Sequence, residues 1–175
     1  AKNWGNPMIP SNLPCFKVDT RRGRLVGTGS FQTVLCWDTI EKKVRYAGCP
    51  PSGWVWWERS MLLDEETGKF WSVDNKDEKR YRFLSFDPEL NKFKRYEVNP
   101  PKNPYSNETS LTRGHTERPA MDGWFYWATW NGTFFKFKPE GPNGPQVELV
   151  GTTWDKDRDC LQMALDPTGR YVYYY

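Results

Sequence analysis

Segments in which apolar and polar residues alternate run along the whole chain, and each is cut short by a turn signal. Arg80-Tyr81-Arg82-Phe83-Leu84-Ser85-Phe86 ends at Asp87-Pro88, and Lys92-Phe93-Lys94-Arg95-Tyr96-Glu97-Val98 ends at Pro100-Pro101. A period of two sends successive side chains to opposite faces of a pleated strand, so each segment predicts a half-buried β-strand. Residues 33–37 and 42–46 flank Asp38-Thr39-Ile40-Glu41 in the same way. Residues 125–130 and 133–137 meet across Asn131-Gly132, which predicts a type I′ hairpin because both residues accept positive φ. Residues 146–150 supply a further outer strand. No apolar stripe of useful length has the 3.6-residue period of a helix, which excludes a helical solenoid.

The strands recur in groups. Phe16-Lys17-Val18-Asp19 leads to Gly23, Met61-Leu62-Leu63-Asp64 to Gly68, Ala120-Met121-Asp122 to Gly123, and Met163-Ala164-Leu165-Asp166 to Gly169. The glycines are 45, 55 and 46 residues apart, and an apolar strand follows each. The aspartate caps a tight reversal, and glycine takes the positive φ that brings the chain back antiparallel. A four-stranded meander repeating every 45–50 residues or so predicts an all-β chain of propeller blades. A single sandwich or barrel also has many short strands, but it does not require this recurring turn.

The expected division is an N-terminal extension at 1–15, units at 16–60, 61–117 and 118–160, and the start of a fourth unit at 161–175. The second unit carries a long irregular loop at 100–119. Propellers close with about four to eight blades. Three units and part of a fourth therefore predict that further blades, in the same or another chain, complete the ring. An unpaired aromatic strand at Tyr171-Val172-Tyr173-Tyr174-Tyr175 adds to that expectation.

Composition sharpens this picture. Only 37% of the 175 residues are hydrophobic, but 17% are aromatic, which disordered chains are not. The 25 basic and 22 acidic residues are interspersed, with no basic stripe of the kind that nucleic acid requires. No segment is apolar for the roughly 18 residues of a membrane span. Cys15, Cys36, Cys49 and Cys160 form no C-x-x-C pair, and with one histidine a structural zinc site is not expected. Four cysteines can make two disulfides, but the spacing does not demand it, and buried free thiols are the expectation.

Gly68-Lys69-Phe70-Trp71-Ser72, Phe83-Leu84-Ser85-Phe86-Asp87-Pro88 and Asp166-Pro167-Thr168-Gly169-Arg170-Tyr171-Val172-Tyr173-Tyr174 carry a resemblance to a family group. The chain resembles bacterial propellers of the virginiamycin B lyase-like, regucalcin-like and NHL-type group, from about Asp19 onward. These motifs describe blade construction. Members include lyases, lactonases and binding platforms, so the resemblance implies a fold and leaves the chemistry open.

Three sets of residues are candidates for function. The first lies in the long loop: His115 as acid/base, Glu117 orienting it, and Arg113 or Arg118 binding an anionic group. On an extended strand His115 and Glu117 share a face. Solvated loop charges are the simpler account of the same residues. The second set is aromatic: Trp54 and Trp56, with Trp57, and Trp124 and Trp127, with Trp130, present flat apolar faces suited to carbohydrate rings, or fill the wedge between blades. The third follows from the resemblance: regucalcin-like propellers hold a divalent cation through oxygen ligands, which suits calcium or magnesium, and Glu58, Asn107 and Asp159 stand near blade boundaries. No cofactor is otherwise expected. Asn107-Glu108-Thr109 and Asn131-Gly132-Thr133 match the glycosylation sequon.

The reading reached is a non-enzymatic binding or scaffold module for a protein or carbohydrate ligand. The alternative is a lyase or hydrolase acting on a carbohydrate or cyclic ester through His115.

Overall fold

Strand-end aspartates determine how this chain reverses. The computed structural model describes residues 15–29, 32–56, 60–74, 82–104, 112–129, 131–139, 144–152 and 162–174. The first sheet is β1 (Cys15–Asp19), β2 (Arg24–Thr28), β3 (Val34–Asp38) and β4 (Lys43–Gly48). The second is β5 (Leu62–Asp64), β6 (Lys69–Asp74), β7 (Arg82–Asp87) and β8 (Lys92–Arg95). The third is β9 (Thr112–His115), β10 (Phe125–Thr129), β11 (Thr133–Lys138) and β12 (Gln146–Thr152), and a two-stranded sheet follows from β13 (Met163–Leu165) and β14 (Val172–Tyr174). Each is an antiparallel meander in chain order. The expected all-β architecture of propeller blades is what the chain forms.

Four reversals share one geometry. Asp19 faces Arg24, Asp38 faces Lys43, Asp64 faces Lys69 and Asp87 faces Lys92 across their strand pairs. Each carboxylate turns inward over its own loop. Asp38 Oδ1 accepts from the amides of Ile40 at 2.9 Å and Glu41 at 2.8 Å, and Asp87 Oδ1 accepts from Glu89 at 2.9 Å and Leu90 at 3.1 Å. The last loop residue is then left-handed: Gly23 (φ 65°), Lys42 (φ 52°), Gly68 (φ 75°) and Asn91 (φ 53°). The hydrogen bonds from Glu41 and Ile40, with Arg24 beside them, hold the Asp38 carboxyl below its ordinary pKa.

Gly23, Gly68, Gly123 and Gly169 all lie between the first and second strands of their sheets, with φ between 65° and 78°. The third case departs from expectation in what precedes the glycine. Ala120-Met121 is not a strand; the first strand of the third sheet is β9, whose backbone pairs Trp127 with His115. The boundary expected at residue 117 therefore shifts, and the second half of the supposed 100–119 loop belongs to the third sheet. Residues 105–111 lie outside the described residues. β9 reads Thr-Arg-Gly-His and has no apolar alternation to reveal it.

The Asn131-Gly132 reversal also differs from a type I′ turn, which needs two positive φ angles. Only Gly132 (φ 76°) has one. Asn131 acts through its side chain, whose Oδ1 accepts the hydroxyls of Thr129 at 2.6 Å and Thr133 at 3.0 Å.

The sheets stack face to face, and the core lies between them. Val26, Val34 and Cys36 of the first sheet pack on Phe70, Leu84 and Phe86 of the second. Trp71, Val73 and Phe83 of the second pack on Phe125, Trp127, Phe135 and Phe137 of the third, with Phe83 and Phe137 stacked at 4.5 Å. Ala128 meets Met163 of the fourth. Of the cysteines, Cys36 is buried and its thiol is pushed up to about 11 by burial, whereas Cys49 is exposed, contrary to the expectation of buried thiols. Cys160 lies outside the described residues.

Arginines tie adjacent sheets at the turns. Arg22 donates to the carbonyls of Glu65 at 3.1 Å and Glu66 at 2.8 Å, and Arg118 donates to those of Asp166 at 3.0 Å and Pro167 at 2.9 Å. Arg24 is almost wholly buried and bridges Asp38 of its own sheet, at 2.8 Å, to Glu89 of the next, at 2.7 Å.

A Cβ on Gly68 would lie 2.8 Å from Arg22 Cδ and Nε, whereas one on Gly123 would meet nothing within 4 Å. Both substitutions impose a left-handed alanine, a cost of about 1–2 kcal/mol. Gly68→Ala must in addition displace the Arg22 clamp, so it is expected to lower the urea midpoint more than Gly123→Ala does. Equal midpoints would show that the clamp contributes nothing.

Candidate functional site

The first strands of the sheets lie side by side, β1 against β5 and β9 against β13, and form the inner wall of the arc. Three candidate groups collect there. Lys17 projects from β1 and pairs with Glu117, which follows β9, so this ion pair joins the first sheet to the third. His115, at the end of β9, is 8% exposed.

The ring of His115 is committed to its surroundings. Nδ1 lies 3.1 Å from the carbonyl of Thr116, and the imidazole packs edge-on against Trp127 with centroids 5.6 Å apart. A carbonyl only accepts, so this contact is a hydrogen bond in the tautomer whose Nδ1 carries the hydrogen. Burial lowers the pKa, and the ammonium of Lys17 lowers it further. The backbone of Thr116, the Glu117 carboxylate and the backbone of Met61 oppose this, but the net shift is downward. His115 is therefore a neutral, buried imidazole at neutral pH.

Glu117 does not orient it. The strand ends at His115, and Glu117 sits in a bend with its carboxylate turned to Lys17. Arg118 points away, to the fourth sheet's turn carbonyls. Arg113 is on β9, on the same strand as His115, and its side chain lies outside the described residues. Lys17, which sequence reasoning treated only as a strand residue, is the charged partner at this place. Its position opposite the third sheet depends on how the sheets stack, and no local pattern signals it.

The tryptophans do not form one platform. Trp56 is 1% exposed in the core between the first two sheets, and Trp127 is fully buried between the second and third, so neither offers a face to a sugar. Trp54 is half-buried beneath the Arg95 guanidinium at 4.9 Å, and Trp124 lies beneath the Lys136 ammonium at 4.6 Å. The wedge between sheets is what consumes the aromatic residues. Trp57 and Trp130, with Glu58, Asn107 and Asp159, lie outside the described residues. Among the described residues no group of three His, Cys, Asp or Glu side chains is gathered to hold a metal, and no helix is long and apolar enough to cross a membrane.

A concave site of about 290 Å³ opens between the third and fourth sheets, lined by Met121, Asp122, Tyr126 and Arg170. Tyr126 donates to Asp122 at 2.8 Å, and its phenol is pushed up to about 12 by burial and by that carboxylate. A phenol so raised is no base at neutral pH. The cavity can offer hydrogen bonds and the Arg170 charge to a small polar molecule.

No family model matches the chain, and no curated protein matches it. Among solved structures it is similar to a Bacteroides thetaiotaomicron protein of unknown function, with a TM-score of 0.60 and 11% identity over 91% of this chain and 43% of that one. It is also similar to a protein provisionally assigned as a gluconolactonase, with a TM-score of 0.56 and 9% identity over 91% of this chain and 55% of that one. The chain thus spans about half the length of these structures. At such identities the likeness is one of fold: the chain shares the β-propeller architecture.

Proposed function

We propose that the chain is a non-enzymatic binding or scaffold module, an arc of blades belonging to a larger ring. One observation carries this reading: among the described side chains, the candidate groups of the long loop already serve the architecture. His115 is spent on the Thr116 carbonyl and Trp127, Glu117 on Lys17, and Arg118 on the turn of the next sheet. A general base needs its free nitrogen within reach of a substrate proton, and a buried imidazole of lowered pKa has a structural use instead. The ligand would be a protein or a carbohydrate, met on a face of the ring. The second reading, a hydrolase of cyclic esters, has the provisionally assigned gluconolactonase as its support.

Hydrolysis of a set of sugar lactones, followed by acid release, separates the two readings. The module reading expects no turnover above buffer for the chain. Turnover that His115→Gln abolishes without moving the melting temperature would establish the enzyme.

The pH dependence of stability has a definite sign. The folded pKa of His115 is depressed below the ordinary 6.5. The unfolded chain therefore binds the extra proton first, and stability falls as pH drops below that value. Melting temperatures across this range should decline, and His115→Phe should flatten that decline by removing the titrating group. An unchanged slope would show that His115 does not titrate between the two states.

A further inference from the structure

His115 is the only histidine of the chain, and it stands where three sheets meet. Its ring is approached by Lys17 of β1, by the backbone of Met61 just ahead of β5, and by Trp127 of β10. Glu117, two residues further along its own segment, adds a carboxylate. Neither β10 (Phe125–Thr129) nor β13 (Met163–Leu165), which packs on β9, brings a charged residue. Lys17 and Glu117 are therefore the charged groups that bear on the imidazole among the described side chains, and they do so with opposite sign.

The same two groups also bear on each other. Their ion pair ties the first sheet to the third, past the inner strand of the second. The members of this cluster are not equally fixed. The imidazole is buried and wedged edge-on against Trp127. The Glu117 side chain is 67% exposed, and Lys17 ends a flexible four-carbon stem. A proton added to His115 puts an imidazolium beside the Lys17 ammonium, with one carboxylate to serve both. The ring cannot leave its packing, but the lysine can swing out. Coupling is reciprocal: because Lys17 disfavours a proton on His115, that proton disfavours Lys17 at its place by the same factor.

From this we infer that His115, Lys17 and Glu117 form an acid-operated latch on the inner wall, in which a proton on the imidazole takes Glu117 from Lys17 and unties the first sheet from the third. The latch is closed while the ring is neutral and opens as the ring becomes charged. His115 and Glu117 both belong to the third sheet, so β1 is the strand that loosens. The wall then presents a free ammonium at acid pH where it presents an ion pair at neutral pH.

One histidine gives one imidazole signal, so nuclear magnetic resonance can follow His115 in the full chain through a pH titration. The Glu117 carboxyl carbon and the protection of backbone amides from hydrogen exchange are read over the same range. The imidazole is expected to titrate below 6.5, and the Glu117 carboxyl signal to step at the same midpoint. Protection of the β1 amides should fall across that midpoint, while β10 keeps its own. Lys17→Met should raise the proton affinity of His115 by about fivefold or more, and Lys17→Arg should restore it. Glu117→Gln, at an exposed position, should lower that affinity, and it carries the test should Lys17→Met fail to fold. An imidazole midpoint at or above 6.5, or one that the folded variants leave in place, would overturn the inference. So would a Glu117 signal or a β1 protection that ignores the protonation of His115, or a loss of protection in every sheet at once. The lactone assay reads a different property and leaves the latch untouched.

Discussion

A reversal of four residues leaves amide hydrogens pointing into the loop with no strand to receive them, and an aspartate at the end of the incoming strand takes them up. Asp19, Asp38, Asp64 and Asp87 all do so. The consequence is register. Once the aspartate faces the first basic residue of the returning strand, the pairs next to the turn are determined, and a slip of one residue there would turn each apolar side chain to the wrong face; in the first sheet the register shifts only beyond Trp37, where Cys36 pairs with Tyr46. The stacking of the sheets, and through it the inner wall and its charged groups, follows from this constraint. Glycine is one of several ways to end the loop, since Lys42 and Asn91 adopt the same left-handed backbone.

Stacking then sets what the aromatic residues do. The interface between the second and third sheets is almost entirely rings, with Trp71 against Phe137 at 5.4 Å and Phe83 against Trp127 at 5.6 Å. A buried ring of this size removes a large apolar area from water, worth about 1.5–3 kcal/mol for phenylalanine. Sheets of five residues or so have few side chains with which to fill the space between them, and large flat ones fill it most completely. The arginines add direction: Arg22, Arg24 and Arg118 each reach from one sheet to the next and pin the ends of the stack.

The inner wall shows how one residue acquires two readings. His115 beside Glu117 in sequence suggests an oriented acid/base pair, but the fold supplies nearer partners. Lys17 arrives from the first sheet and captures the carboxylate, while Thr116 and Trp127 occupy the ring. Burial, and after it the cation, lowers the pKa of the imidazole. Its contribution is then to seal the first strand of the third sheet against the second strand, where Thr116 continues the pairing through Tyr126.

By itself the sequence determined what is local: the alternation in strands such as residues 82–87 and 133–138, the Asp and Gly reversals, and their recurrence. Side-chain alternation and turn chemistry act over a few residues, so they can be read without knowing the neighbours. The tertiary structure decided everything that depends on which sheet lies opposite. It recruited Thr112–His115 as a strand, since an inner strand is held by its backbone ladder and needs no apolar pattern. It divided Trp56 and Trp127 between separate cores, brought Lys17 to Glu117, and left Phe16 and Val18 uncovered where Met61 and Leu63 are buried. Burial and charge pairing belong to contacts between distant segments, and only the stacked sheets assign those contacts.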